Sequence, residues 1–481
     1  MIKTSYAFLI ACFVMLTSMA NASVKEAPKE FSENSKQCIA CHKKNNPGIV
    51  QQWGASKHYR AKVGCYECHA ADEGDKDGYM HGKKGKEKLI SIIVSPKDCS
   101  SCHEKEVRQT EESHHAKAGR IMASLDNLLA EVVEGNSAMV TEGFPEGNSA
   151  IAVAGCWQCH GSEVKVNKDG SLDPATWPNT GIGRINPDGS KGACSSCHAR
   201  HEFSVAQARE PLTCGKCHMG PDHPQREIYE ESKHGIQYAA NKHKMNMENP
   251  KWVPGEDYFT GPTCSTCHMG ATRKQEVNHN VGLRISWNNR PPISVRPEIT
   301  DKKMGSPSQN IKWEERRDNM KDVCSACHTE DYIDNFYVQY DGIIELYGEK
   351  FAKPGKSLMK LAKPLLKPAK FSNKIDWIWF ELWHHEGRRM RMGASMMAPD
   401  ITHWHGTYEV AKHFYNKFIP ELKRIAKDNE NKHTDAAKKL YAGIDAVLNS
   451  DNHKWYLNKM SDKQKKIRKR AVEDAKEMYS K

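Results

Sequence analysis

The chain has 481 residues, enough for two or three ordinary domains, yet only 38% are apolar, thin for the core such domains bury. Its formal charge of +11 comes from 71 basic and 60 acidic residues, and the cofactor charge counted below makes that poor evidence for nucleic acid. Seventeen cysteines would suit a disulfide scaffold, but sixteen of them fall in Cys-X-X-Cys-His units, a spacing that excludes one.

In chain order, residues 1–22 carry the parts of a secretory signal: Lys3, an apolar run from Tyr6 to Leu16, and Ala20-Asn21-Ala22 before the cut. The seventeenth cysteine, Cys12, lies in that run, and treating Leu9-Ile10-Ala11-Cys12 as a lipoprotein box would leave Phe13 to Leu16 exposed. Cleavage after Ala22 is expected, giving an exported, periplasmic chain with no cysteine outside the motifs. No later stretch approaches the roughly 18 apolar residues of a membrane span.

Residues 38–103 hold three motifs: Cys38-Cys41-His42, Cys65-Cys68-His69 and Cys99-Cys102-His103. Ile121, Leu125, Leu128, Leu129 and Val132 recur at helical intervals and predict a helix over 113–134. Glu-Gly-Asn-Ser-Ala occurs at 134–138 and again at 146–150, which predicts paired loops. Five motifs follow: Cys156-Cys159-His160, Cys194-Cys197-His198, Cys214-Cys217-His218, Cys264-Cys267-His268 and Cys324-Cys327-His328. A Pro/Lys-rich linker at 353–370 then leads to helices expected over 377–392, 404–425 and 434–448, the last with Thr434 as N-cap. A final basic helix is expected at about 461–480, where Lys463, Lys465, Lys466, Arg468, Lys469 and Arg470 make a solvated face or a dock for an acidic redox partner.

The two thiols of each motif add to the vinyl groups of one haem, and the next histidine reaches the iron from the same turn. A lone motif could be a redox dithiol or half a zinc site; eight with a histidine always following imply eight haem c groups. Removing Lys3 with the signal leaves +10, and each ferric haem with ionised propionates adds about −1, so the holoprotein carries roughly +2. The macrocycles also supply the missing apolar volume. The expected fold is mainly α, a multihaem cytochrome c fold with long loops around eight haems, little sheet, and a C-terminal region of long helices.

Of 24 histidines, eight are proximal ligands. An electron-transfer haem takes a second axial ligand, whereas a substrate-binding haem keeps that position open. Candidates for the second position are His58, His115 (or its neighbour His114), His201, His234, His279, His385 (or His384) and His405 (or His403). These are seven sites for eight haems, which leaves one iron open. His81 and His243 stay undecided, and His413, His433 and His453 look structural.

Cys156-Trp157-Gln158-Cys159-His160-Gly161, the run from Cys214 through Met219-Gly220-Pro221-Asp222-His223, Glu231-Ser232-Lys233-His234-Gly235 and Trp404-His405-Gly406 resemble the octahaem hydroxylamine oxidoreductase family. The resemblance runs from the first motif to about residue 425. It implies that the fourth haem, held by Cys156, Cys159 and His160, is the open catalytic one. It also implies seven haems with paired histidine ligands, Asp222 and His223 facing the catalytic iron, and a homotrimer. On this basis residues 23–330 bind the haems, and 331–481 form a helical region that completes the haem pockets and trimerises. Independently, Asp222-His223 is a suitable acid/base pair where nitrogen-bound oxygen exchanges protons.

One departure bears on direction. Oxidative members of the family carry a tyrosine, in a segment like Met-Met-X-Pro-Asp-Tyr, that crosslinks to the catalytic haem of a neighbouring subunit. Here the segment is Met396-Met397-Ala398-Pro399-Asp400-Ile401, and isoleucine has no phenol; Tyr408 lies seven residues on. An uncrosslinked haem beside acid/base groups points to reduction of nitrite to hydroxylamine or ammonium. A small c-type cytochrome or a membrane quinol-linked cytochrome would be the electron partner. The rivals are hydroxylamine or hydrazine oxidation, and a conduit without enzymatic activity.

Overall fold

A computed structural model describes residues 29–123, 132–133, 139–141, 144–148, 150–295, 297–299 and 311–480 of the chain. The expected signal segment and Cys12 lie outside the described residues.

The architecture is mainly α, as the composition predicts, with two small antiparallel hairpins: Tyr79–His81 on Lys88–Ile90, and Met139–Thr141 on Phe144–Asn148. In the first two thirds the motifs sit in or at the ends of short helices, because positions i, i+3 and i+4 share one helical face. Glu33–Asn45 carries the first motif and is capped by Ser32, whose hydroxyl accepts from the Ser35 N–H at 3.1 Å. Cys65–His69 is the second. Pro96–Glu112 carries the third and starts on Pro96 with a reciprocal Ser95/Asp98 cap. That helix kinks at its own motif histidine, His103, where φ is −117° and ψ 42°. Cys264–His268 is capped by Thr263, and Trp313–Cys324 ends on the eighth motif.

The C-terminal third has long helices: Glu330–Tyr347, Lys353–Ala362, an almost unbroken run over 374–428, and Thr434–Asn449. Their inward faces make the largest apolar cluster among the described residues, with Phe351, Leu358, Ile375, Phe414, Phe418, Leu422, Leu440 and Ile444 all buried. Each such side chain contributes about 1.5–3 kcal/mol when fully buried. Asp462–Met478 follows, capped by Ser461 and with no buried residue.

Four expectations change. The 353–370 linker is helix over Lys353–Ala362, because Pro354 falls in the first turn, where its missing N–H costs nothing, while Leu358 and Ala362 turn into the core. Thr434 is the first residue of its helix, not the cap: His433 takes that position and the Thr434 hydroxyl donates to the Glu430 carbonyl at 2.7 Å. Of the expected 113–134 helix, His115–Ala123 is a 3-10 helix and residues 132–133 are helical, while residues 124–131 are not described. The second Glu-Gly-Asn-Ser-Ala copy begins inside the strand Phe144–Asn148 rather than in a loop, since its partner strand supplies a ladder that apolar patterning does not announce; the first copy lies outside the described residues.

Candidate haem-binding and catalytic site

The folded chain sets most motif histidines opposite a second imidazole, tilted or edge-on to it. Ring centres lie 6.1 Å apart for His103 and His58, 6.4 Å for His69 and His201, and 6.4 Å for His198 and His279. His328 and His234 are 6.1 Å apart, and His218 and His115 6.2 Å. An imidazole nitrogen stands about 2 Å from a metal and the ring centre roughly 1 Å further, so two axial imidazoles on one metal have centres about 6 Å apart. Burial lowers the pKa of His58, His201, His234 and His279, and takes His115 to about 4, so these rings are the neutral imidazoles that ligation needs.

The sequence left His81 undecided, and the structure finds it a place. The Tyr79–His81 strand sets its ring 5.9 Å from that of His42, near-parallel at 30°. Outer groups hold two proximal rings: His42 Nδ1 donates to Asn46 Oδ1 at 2.9 Å, and His69 Nδ1 donates to the Ser91 carbonyl at 2.8 Å. The remaining two expected ligands lie among charged and aromatic neighbours. His405 is 53% exposed between Asp400 (3.4 Å) and Glu409 (3.6 Å). His385 rests against Phe380 and the electrostatic field of Asp222, its pKa lowered by burial to about 4.

The rings come in twos, and among the described residues no group of three or more His, Cys, Asp and Glu side chains converges on a bare ion. Two axial nitrogens therefore call for a macrocycle that supplies the remaining ligands, and the motif thiols, none in a disulfide, stand ready to anchor it. The residues fit haem c. The thiols also give the motif order in space. Cys99 and Cys194, Cys159 and Cys217, and Cys214 and Cys264 are close enough that each thiol shifts the ionisation of its neighbour. Cys38 with Cys65, Cys68 with Cys102, Cys197 with Cys214, and Cys267 with Cys324 are electrostatic neighbours. Motifs one, two, three, five, six, seven and eight thus form a line, and the fourth joins it at the sixth.

The fourth motif has a backing the others lack, built from glycine. Ile182 N–H donates to the Cys159 carbonyl at 3.0 Å and Gly183 N–H to the His160 carbonyl at 3.2 Å, strapping 181–184 across the motif. A Cβ on Gly181 would lie 2.0 Å from Gly161 N and 2.3 Å from the Trp157 carbonyl oxygen; one on Gly183 would lie 2.8 Å from Ala118 N. Gly161 itself has φ +78°. Only hydrogen fits at these positions. Nothing in the motif spacing announced this cradle, although the glycine run at 181 and 183 was its trace.

Next to this motif lie Asp222 and His223. His223 Nδ1 donates to Asp222 Oδ1 at 2.5 Å, and Nε2 donates to the Cys217 carbonyl at 2.9 Å. With acceptors at both nitrogens the ring carries both protons, and neither nitrogen is left for a metal; of the two imidazoles beside His218, His115 is the one that can ligate. Burial disfavours the His223 cation, but the Asp222 hydrogen bond and charge outweigh it and raise its pKa. Burial likewise disfavours the Asp222 carboxylate, yet His223, His384 and Arg388 together bring it down to about 2. Asp222 Oδ2 accepts from Arg388 Nη1 at 3.3 Å. His223 acts electrostatically on Cys159, which puts the acid/base pair beside the fourth motif. The arrangement holds an imidazolium, kept charged by an ionised carboxylate, that can act as a proton donor.

Ile401 is 8% exposed and packs with Ile228, Met392 and Ala398 in its own chain, its N–H donating to Glu231 Oε1 at 3.1 Å. Tyr408 lies apart, half-exposed, edge-on to Trp404 at 5.2 Å.

Among known proteins, residues 186–361 match the family model described as seven times multi-haem cytochrome CxxCH, and residues 13–70 match cytochrome c554 and c-prime. The chain is 27% identical over 333 residues to a probable nitrite reductase-hydroxylamine oxidoreductase fusion protein of Kuenenia stuttgartiensis, an alignment covering 61% of this chain. It spans about a third of that relative, 34% of its length. A solved hypothetical multiheme protein superposes with a TM-score of 0.70 at 26% identity, covering 83% of this chain and 97% of the other. A reducing HAO-like protein complex of Kuenenia stuttgartiensis shares the fold at a TM-score of 0.52 and 19% identity, over 86% of this chain and 87% of that one. Among the described residues no helix is long and apolar enough to cross a membrane.

Proposed function

We propose, from the premise that the chain belongs to the multihaem c-type cytochromes of hydroxylamine oxidoreductase type, that it reduces nitrite to hydroxylamine or ammonium. The observation that carries this reading is the pairing of a buried aliphatic Ile401 with a protonated His223 beside the fourth motif. The first removes the phenol that oxidative members use for their crosslink. The second supplies what a reductive step consumes, since taking nitrite to ammonium uses six electrons and eight protons.

In this reading all eight motifs hold haem c. Cys156, Cys159 and His160 would hold the fourth haem, which when bound supplies an iron at which nitrogen–oxygen bonds are cleaved. His58, His115, His201, His234 and His279 would each hold a haem from its second side, as would His81, which the sequence left undecided. His385 or His405 would do so for a seventh, and the fourth haem would have no second protein ligand. His223, protonated at Nδ1 and Nε2, is the acid of the site, and Asp222 keeps the imidazole charged and oriented. The Gly161, Gly181 and Gly183 strap fixes the His160 backbone so that its ring keeps one direction. The protein is exported to the periplasm after cleavage at Ala22 and works as a homotrimer, the 331–481 region completing the haem pockets and the subunit contacts. It receives electrons from a small c-type cytochrome or a membrane quinol-linked cytochrome.

Product analysis tests the function directly. With nitrite and a low-potential donor, ammonium or hydroxylamine should appear, and turnover with hydroxylamine and an acceptor should be much slower. Faster oxidation of hydroxylamine or hydrazine, or a haem peptide covalently joined to one containing Tyr408, would reverse the direction. An oxidised protein that binds neither nitrite nor cyanide would make it a conduit.

A further inference from the structure

We propose that the exposed lysines around the first motif form the docking surface for a small acidic one-electron carrier. The inference rests on the reading above that a redox protein delivers the electrons, and it adds where that partner docks and what charge it bears. The first motif is one end of the line of seven, so a carrier can reach it without passing another motif. Two segments frame it. The last turn of Glu33–Asn45 sets Lys43 and Lys44 directly after His42. The hairpin of Tyr79–His81 with Lys88–Ile90 brings His81 to His42, pairs His81 with Lys88, and holds Lys83, Lys84 and Lys86 in its turn. Lys88 is near enough to Cys38 to favour its thiolate. Lys43, Lys44, Lys83, Lys84 and Lys86 are exposed, and among the described residues none of them is in an ion pair. The strand itself leaves Tyr79 and Met80 exposed, Met80 by 62%, which offers an apolar contact within a charged rim.

Residues 42–46 and 79–90 together hold six lysines and one carboxylate, Glu87. A ferric haem with ionised propionates adds about −1, so the surround stays positive with the cofactor in place. The acidic turn before the hairpin is already engaged: Asp77 accepts from Ser91, and Asp72 and Asp75 face Lys97 at 3.1 and 3.7 Å. The far end of the line has the opposite sign. Residues 313–334, around the eighth motif, hold seven carboxylates against three lysines and arginines, with Glu330 and Asp331 exposed. An acidic carrier is therefore drawn to the first motif and turned away from the eighth, because like charges facing across an interface cost affinity. The terminal helix Asp462–Met478 is basic too, but it carries no motif, and Lys465, Lys469 and Arg470 each face a carboxylate of their own helix at 3.7 Å. In the encounter one electron leaves the reduced centre of the carrier, which is oxidised, and takes the iron of the first motif from ferric to ferrous; no bond or proton is exchanged. A field of this kind raises association rates by about 10- to 1,000-fold at low ionic strength.

The experiment uses the haem-loaded full chain, with reduced plant-type ferredoxin, a small acidic carrier of low potential, as the probe. Three forms are compared: the natural chain, a hairpin variant combining Lys83→Glu, Lys84→Glu and Lys86→Glu, and a terminal-helix variant combining Lys466→Glu, Lys469→Glu and Arg470→Glu. The expected result for the hairpin variant, at low ionic strength, is a fall of about tenfold or more in the rate of haem reduction by ferredoxin and a matching rise in Kd. Added salt should close that gap. Reduction by methyl viologen, which is too small to need a dock, should be unchanged, and the terminal-helix variant should behave like the natural chain. The hairpin variant should also keep its haem content and absorption spectrum; loss of one haem would make these lysines part of a haem pocket and overturn the proposal. A ferredoxin rate indifferent to salt in the natural chain, or an effect confined to the terminal-helix variant, would overturn it as well. So would binding to phosphatidylglycerol vesicles that the hairpin variant loses while ferredoxin still docks. If ferredoxin delivers electrons and nitrite is left unreacted, the nitrite reading falls and the dock stands. If nitrite is reduced with methyl viologen while ferredoxin fails to dock, the dock alone falls.

Discussion

The region that carries the motifs and the region that follows them are stabilised by different physics. Between residues 29 and 330 the chain is held by helix caps, by backbone strapped over glycine, and by buried arginines such as Arg184 and Arg284 that donate to carbonyls beside the motifs. Apolar clusters there are small; one of them is Tyr229, Tyr238, Met245, Trp252 and Tyr258. From Tyr347 to Leu448 a single apolar cluster joins the long helices, with Phe418, Leu422 and Ile444 fully buried. The first region leaves its interior to a cofactor, and the second makes its own. A chain can thus keep about a third of its fold as ordinary protein while the rest is built around haem attachment.

Substitutions can break or sharpen this contrast. The largest expected effect is on chemistry. His223→Ala should lower nitrite turnover by about 100- to 10,000-fold while haem content and thermal unfolding stay close to the natural protein's; Asp222→Asn should do the same through its partner. Normal turnover in both would remove the pair from the mechanism. Next in size is Phe418→Ala, expected to cost about 3–5 kcal/mol in chemical denaturation while leaving the haem absorption spectrum unchanged. A shift in the spectrum would show that the two regions are energetically one. His81→Ala, by contrast, should leave stability nearly as it was and turn one low-spin haem signal high-spin in the paramagnetic resonance spectrum. An unchanged spectrum would deny His81 a place on the first haem.

The smallest effect is a displacement along pH. His223 is held above its ordinary value of about 6.5, so its proton, and the stability its pairing gives, are fully present below that value. Both are lost as pH rises through the raised value. Asp222, near 2, contributes stability above the ordinary carboxylate range, and this is lost as pH falls toward about 2. The alkaline limb of the nitrite rate should therefore lie above pH of about 6.5, and the residual activity of Asp222→Asn should show that limb displaced downward. An unmoved limb would assign it to another group.

How much of this was legible in the sequence depended on whether the signal was local. The motifs fix their own spacing, so attachment of haem c was readable without any fold. Five second imidazoles, His58, His115, His201, His234 and His279, were readable as candidates, because each left a histidine without another duty. His81 was not, since only the pairing of Tyr79–His81 with Lys88–Ile90 carries it to His42. Lys353–Ala362 was misread for the opposite reason: lysine and proline dominate the composition of that segment, whereas burial of Leu358 and Ala362 decides its structure. Asp222 and His223 were visible as residues, but Arg388, 165 residues on from His223 in the chain, could join them only through the fold.

The contact of Cys159 with Cys217 places the fourth motif on a spur rather than in the line of the other seven. In the language of circuits it is a stub on the line, not a link in it. Were haems to fill the motifs, whatever occupied the fourth site would leave the route from the first motif to the eighth intact. Charge could then be gathered along that route while the spur was busy, and a molecule that blocked the fourth site need not block conduction.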